Sequence, residues 1–115
     1  MARGLFVGLT SVDIFNVVDT HPSPNQKIKA RHQAVSAGGP AANAAVAFCS
    51  FGNDADLLTG IGSNPTGALA FEDLRSQGVR VLEYTAHPDK LPVHASIMID
   101  ASNGSRCVLY RSTHG

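Results

Sequence analysis

Ala37-Gly38-Gly39-Pro40-Ala41-Ala42-Asn43-Ala44-Ala45-Val46-Ala47-Phe48-Cys49-Ser50-Phe51-Gly52 is the stretch on which the reading of this chain turns. Gly38 and Gly39 give backbone freedom at a turn. Pro40 suits the first position of a helix, where its missing N–H would be unpaired in any case. Gly52 stands where a helix end takes a left-handed residue. Between them the side chains are mostly alanine, so the predicted helix can approach other backbone closely, and its glycine entry leaves room for a ligand. Taken alone, the stretch is most simply a well-capped buried helix. Asn43, polar and near its start, is the residue that the rest of the chain has to account for.

Upstream, Leu5 to Thr10 is an apolar run that predicts a buried strand. Asp13 follows it directly, where open α/β sheets place ligand-binding groups, although a turn-forming Asp is the competing reading. Ile14 to Val18 is strand-like again. His21-Pro22-Ser23-Pro24-Asn25 then breaks the pattern, and Lys27 to Ser36 alternates weakly, as one or two exposed strands would. These segments predict a hairpin standing apart from the main sheet.

Downstream, Asp54 to Gly62 predicts a second buried strand and Ser63 to Gly67 a turn. A helix over Gly67–Gln77 follows, with Ala68, Leu69, Phe71 and Leu74 mostly on one side, Asn64 or Thr66 as its cap and Gly78 as its stop. Glu72 and Asp73 read as solvated. Val79 to Leu82 predicts a third strand. Strand–helix–strand–helix–strand implies a parallel sheet with right-handed crossovers. Val93–Ile99 and Arg106–Tyr110 alternate around Asp100-Ala101-Ser102-Asn103-Gly104, a hairpin that could pair with the one after Asp13. A three-stranded parallel sheet is short, and Thr113-His114-Gly115 does not resemble a domain ending, so the organisation reads as an incomplete N-terminal piece over 1–115.

Composition excludes several classes. The 115 residues suit one domain, and nine Lys+Arg balance nine Asp+Glu, which argues against a nucleic-acid or anionic-membrane binder. No apolar run reaches the ~18 residues of a membrane span, and the N-terminus is too short and polar for a signal peptide. Cys49 and Cys107 stand alone and the five histidines lack metal-ligand spacing, so a reducing cytoplasmic setting without a metal site is expected.

The motifs then narrow the chemistry. No Gly-x-x-x-x-Gly-Lys-Ser/Thr loop and no Gly-x-Ser-x-Gly elbow occurs. Gly60-Ile61-Gly62 after a strand, with Glu83 roughly 20 residues on, outlines a nicotinamide-dinucleotide site, but Pro65 takes the third glycine's place. What remains is a set suited to vicinal hydroxyls: Ser11 and Asp13 near the first strand, and Gly38, Gly39 and Asn43 at the helix start. A carboxylate accepts two hydroxyl protons, an amide donates and accepts, and glycine N–H groups add donors without bulk.

These features, in this order, resemble the N-terminal part of the ribokinase-like (PfkB-type) carbohydrate kinases. Gly8-Leu9-Thr10-Ser11-Val12-Asp13 resembles the family's opening strand with its sugar-binding Asp. Pro22-Ser23-Pro24-Asn25-Gln26 resembles a turn in its lid. Gly38-Gly39-Pro40-Ala41-Ala42-Asn43-Ala44-Ala45 resembles its Gly-Gly-x-x-x-Asn-x-Ala signature, and Phe51-Gly52 the pair that closes that helix. Gly62-Ser63-Asn64-Pro65-Thr66-Gly67 resembles its Gly-x-Asp-x-x-Gly turn, with Asn64 where Asp is common.

The resemblance implies an α/β, partial ribokinase-like fold: a parallel sheet with flanking helices plus an antiparallel β-lid, its strands within 14–36 and 93–111. It implies that Ser11, Asp13, Gly38, Gly39 and Asn43 bind a sugar, that Ala95 and Ile97 are apolar lid contacts, and that Arg111 stands where some members bind an anionic group. Pro40 and Ala41 replace the Lys and Gly common in ribokinases proper, which weakens a ribose assignment. ATP and Mg²⁺ are implied as cofactors of the full-length enzyme, with a monovalent cation as a further candidate. The family's catalytic Asp-Thr-x-Gly-Ala-Gly-Asp motif is absent, so the 115 residues alone are expected to lack kinase activity. The implied partners are a small sugar or sugar derivative and a second copy paired through the lid, with neither nucleic acid nor membrane. A non-catalytic sugar-binding or lid-mediated dimerisation module is the alternative.

Overall fold

Apolar runs bounded by turn residues become strands, and the alanine-rich stretch becomes a helix. In the computed structural model, which describes residues 1–61, 64–84 and 93–111, the order is β1 (Arg3–Val7), β2 (Ser11–Val18), β3 (His32–Gly38), α1 (Pro40–Ser50), β4 (Asp54–Thr59), α2 (Pro65–Ser76), β5 (Arg80–Glu83), β6 (Val93–Asp100) and β7 (Arg106–Tyr110). Gly62 and Ser63 of the expected turn, and Thr113-His114-Gly115, lie outside the described residues. Among the described residues, no helix is long and apolar enough to cross a membrane.

The strands form two sheets, β1-β4-β5 and β3-β2-β6-β7. The first is parallel throughout, as the strand–helix alternation implies. Both helices pack on one of its faces. Ala42 and Ala45 of α1 and Ala70 and Leu74 of α2 join Ala55 and Leu57 of β4 in a single core. Alanine at these helix positions lets α1 lie close to the sheet, and Phe6 meets Phe48 edge-on at 5.5 Å beside it. On the opposite pleat, Leu5 and Val7 of β1 are 63% and 66% exposed. A parallel sheet normally has both faces covered; here one is covered.

The helix caps agree with the sequence reading, but one helix face does not. Pro40 opens α1 and Gly52 follows it with φ 85°. The Gly67 amide donates to Asn64 Oδ1 at 2.9 Å at the start of α2, and Gly78 follows its end with φ 88°. The inward stripe of α2 is Gly67, Ala70 and Leu74, while Ala68, Leu69 and Phe71, expected on the same side as Leu74, are exposed. Gly67, Ala70 and Leu74 follow one another at three- and four-residue steps, so they share the face that meets the sheets, and Ala68, Leu69 and Phe71 fall off it. Asp73 is not solvated either, since it accepts the Ala37 amide at 2.8 Å.

A second correction concerns the first strand. It ends at Val7, so Ser11 and Asp13 are not just past its tip; they open β2, in the other sheet. The chain crosses between sheets through Gly8-Leu9-Thr10. A Cβ on Gly8 would come within 2.8 Å of Ala41 Cβ, so the crossing runs tightly over the first turn of α1. The buried hydroxyls of Thr10 and Thr59, 2.8 Å apart, pin it to β4.

The second sheet joins the two predicted hairpins. β2 pairs antiparallel with β3 and β6 antiparallel with β7, but the central β2–β6 pair is parallel, with Ser11 beside Val93. Both central strands start at the body of the domain and run outward, which makes the lid sheet mixed. Residues 27–31 precede β3 instead of extending it; there the Arg31 amide donates to Val17 O at 2.7 Å, and its guanidinium pairs with Asp19.

The outer end of this sheet is organised by Asp100. It is buried, and it accepts from the Ser102 amide at 2.8 Å, the His21 amide at 3.2 Å and the Ser102 and Thr20 hydroxyls. The Ser102 hydroxyl foremost, against the opposing effect of burial, and then the Ser102 and His21 amides and the His21 charge hold the Asp100 carboxyl down at about 2. A carboxyl depressed on folding contributes stability above its unfolded value that is lost as pH falls through the folded one. We therefore expect unfolding midpoints to drop as pH falls from about 4 towards about 2. In Asp100→Asn this part of the acid dependence should be absent, as denaturant titrations across that window would show.

Candidate functional site

Residues two apart in a strand share a face, so Ser11 and Asp13 of β2 project together. The Ser11 hydroxyl donates to Asp13 Oδ1 at 2.7 Å and fixes that carboxylate. Strand register extends the row sideways. Ser36 of β3, Asp13, Ala95 of β6 and Tyr110 of β7 lie in line across the sheet, and Ala34, Phe15, Ile97 and Val108 form the next row. Ala95 and Ile97 are each 7% exposed. Strands stand about 4.8 Å apart, so Ala95 is the immediate apolar neighbour of Asp13.

The glycine pair meets this row from the other side, and each glycine is required for a different reason. Gly38 is the register partner of Ser11. A Cβ there would sit 2.6 Å from Asp13 Cγ and 2.7 Å from Ser11 Oγ, so a side chain would evict the carboxylate. Gly39 has φ 100°, and its Cβ would come within 2.7 Å of Leu9 O. It is the N-cap of α1 and offers no side chain to take the first-turn amides. Asn43 lies one turn on, exposed, with its amide bonded to Gly39 O at 2.9 Å.

The structure thus brings Ser11, Asp13, Gly38, Ala95 and Ile97 to one face, with Gly39 and Asn43 at the adjoining helix start. It does not bring Arg111 there. The Arg111 amide donates to His94 O at 3.1 Å, and the β6–β7 register places this residue opposite His94, on the alternate pleat from Asp13 and Ala95.

Three supporting contacts escaped the sequence reading. Asp73 of α2 takes the amide of Ala37, the residue before Gly38, on the edge of β3 that faces away from β2. The Thr10–Thr59 pair anchors the approach to β2. His94 Nε2 lies 2.9 Å from Thr66 Oγ1 and ties β6 to the first turn of α2. An acid on a helix, or a lone Thr beside a strand, carries no pattern that marks it as a tie between elements. Glu83 has a structural task as well. It accepts the Ile61 amide at 2.9 Å, holding the backbone after β4 in the place where the dinucleotide reading would have put a ribose. Val7, Leu9, Leu58, Thr59 and Tyr84 line a cavity of about 440 Å³ at the C-terminal ends of the parallel strands, continuous with the uncovered face of that sheet.

Chemically, the row offers a fixed carboxylate, a hydroxyl, backbone amides and an apolar floor. That donor set accepts and donates to neutral hydroxyls; with a carboxylate at its centre it does not suit a triphosphate.

Comparison with known proteins gives the family. The pfkB family carbohydrate kinase model matches residues 1–114, and the chain belongs to that family. It is 36% identical over 88 residues to the ATP-dependent ribose-1-phosphate kinase of Halopiger xanaduensis, covering 72% of this chain and 30% of that protein. It is 28% identical over 103 residues to the ribokinase of Dictyostelium discoideum, covering 90% of this chain and 32% of that protein. A crystal structure from Agrobacterium tumefaciens, described as a ribokinase candidate, superimposes with a TM-score of 0.87 at 26% identity, over 98% of this chain and 36% of that one. The chain thus spans about a third of the length of these relatives.

The Asp73 tie makes a prediction that needs no substrate. Asp73→Ala should raise the hydrogen-exchange rate of the Ala37 amide by about tenfold or more, the equivalent of one lost charge-assisted hydrogen bond. Asp73→Asn, which keeps an acceptor, should restore most of the protection. Equal exchange in all three proteins would show that the contact does not hold β3.

Proposed function

We propose that these residues form the sugar-binding wall and lid of an ATP-dependent carbohydrate kinase. The observation that carries this reading is the row Asp13–Ala95, closed from behind by Gly38: a carboxylate pinned by Ser11 beside an apolar floor, in a chain of the pfkB family. Asp13 accepts from adjacent sugar hydroxyls. Gly38 and Gly39 contribute backbone amides, and Asn43 donates and accepts from the helix start. Ala95 and Ile97 cover the sugar's C–H face as the lid sheet closes. Arg111 lies on the other pleat, which supports a neutral sugar hydroxyl as the group held at this row and gives no support to an anion site there.

Phosphoryl transfer depends on positioning and on charge stabilisation around the γ-phosphate. The donor set at Asp13 does not provide this. ATP, Mg²⁺ and any monovalent cation therefore belong to parts of the protein beyond this wall, and the uncovered pleat of the parallel sheet, with Leu5 and Val7 exposed, is the surface on which those parts would pack. On this reading the 115 residues alone do not phosphorylate a sugar. ATP consumption by the isolated chain in the presence of Mg²⁺ and a sugar panel would overturn that statement. The free thiols of Cys49 and Cys107 fit a cytoplasmic setting.

A second reading is favoured by one observation. All five residues of β7 are exposed and it is an edge strand, the type of edge that pairs with another copy. Pairing through the lid is compatible with the kinase reading and, on its own, defines the non-catalytic alternative.

The site assignment is tested in the full-length protein. Asp13→Asn and Asn43→Ala should each weaken sugar binding by about 1–3 kcal/mol through buried hydrogen-bonding groups left unpaired, with the unfolding midpoint little changed. Unchanged affinity in calorimetric titrations would contradict the assignment.

A further inference from the structure

A second group of reactive side chains lies at the outer end of the lid sheet. Cys107 of β7 is exposed, and its Sγ is 3.9 Å from Nε2 of His21, a residue 86 positions away in the sequence. The same Nε2 is 3.2 Å from Ser105 Oγ. The loop carrying His21 is held in place by Asp100, which accepts the His21 amide at 3.2 Å. That carboxylate is buried. His21 Nδ1 is buried without a hydrogen-bond partner among the described residues, so no hydrogen bond there fixes the tautomer and Nε2 can serve as the acceptor. Cys49 contrasts at each point: it is half-buried on α1, packs against the core and donates to Gly78 O at 3.5 Å.

A thiol becomes nucleophilic when a neighbouring base takes its proton. From the Cys107–His21–Asp100 arrangement we propose that Cys107 is a modification site, which undergoes thiol–disulfide exchange with small disulfides. His21 Nε2 takes the Sγ proton, and the Asp100 carboxylate, by accepting the His21 amide, keeps the ring beside Cys107. The thiolate attacks one sulfur of the small disulfide, the disulfide's S–S bond breaks, a mixed disulfide forms on Cys107, and the departing thiolate takes up the proton. The small disulfide is the oxidant, and no other co-reactant is required. By register with Met98 and Asn16, Cys107 belongs to the pleat opposite Asp13, so the adduct is placed on the outer face of the lid, away from the proposed sugar wall.

The test uses the full-length protein and two probes, oxidised glutathione and the chromogenic disulfide 5,5′-dithiobis(2-nitrobenzoate), with modification of Cys107 and Cys49 followed peptide by peptide by mass spectrometry. Native Cys107 should react about tenfold faster than the same cysteine in the urea-unfolded protein, although unfolding maximises access. His21→Gln should remove most of that advantage and leave Cys49 unaffected, and His21→Asn provides a second variant should the first destabilise the loop. A native rate equal to or below the unfolded rate would overturn the proposal, as would a Cys107 rate unchanged by loss of His21 in a folded variant. Neither outcome depends on sugar binding, so this inference and the kinase reading fail separately.

Discussion

The Asp13 carboxylate lies against the backbone of Gly38, where no side chain would fit, and most of the candidate site follows from that contact. Any side chain at that position would occupy the space of the Asp13 carboxylate and the Ser11 hydroxyl. Because none is there, Asp13 can lie flat against backbone, keep one oxygen on Ser11 and present the other beside Gly38. The next residue, Gly39, turns with φ 100° directly into α1, so the helix start and the carboxylate are neighbours by construction.

That junction has to be held, since it joins two sheets that do not share a strand. Among the described residues, side-chain hydrogen bonds that connect them include Thr10 to Thr59 between the crossing segment and β4, Asp73 to the Ala37 amide between α2 and β3, and His94 to Thr66 between β6 and α2. Each is a single hydrogen bond, of the order of 1 kcal/mol in net terms and more where a buried group would be left unpaired. The two sheets also share the hydrophobic core, since Val12 of β2 is buried with Ala42, Ala45, Leu57 and Leu74, although the backbone ladder of each sheet is separate.

The sequence was most legible where one residue type has one physical role. Pro40, Gly52, Asn64 and Gly78 marked the helix ends because capping is local chemistry, and Asn103-Gly104 marked the outer hairpin for the same reason. The motif order put Asp13 and the glycine pair together, and Gly38 does lie against the Asp13 carboxylate. What was not legible depended on partners distant in the chain. The apolar run from Leu5 to Thr10 does not show that the chain leaves one sheet for the other after Val7. The apolar residues of α2 do not by themselves show which face meets the sheets: Ala68, Leu69 and Phe71 are exposed, and Gly67 and Ala70 are buried with Leu74. The lid strands were each visible, but the parallel pairing of β2 with β6 follows from where both strands leave the body. Arg111 was singled out only by the family resemblance, and strand register sets it opposite His94, on the other pleat from Asp13.

The central claim is that Asp13, Gly38 and the Ala95–Ile97 floor make one wall of a sugar pocket. Its most direct test is a crystal structure of the full-length protein with a bound sugar. The account predicts two neighbouring hydroxyls within ~2.6–3.2 Å of the Asp13 carboxylate and the ring lying over Ala95 and Ile97. A sugar bound on the opposite pleat, beside His94 and Arg111, or one leaving Asp13 in contact with Ser11 alone, would contradict it.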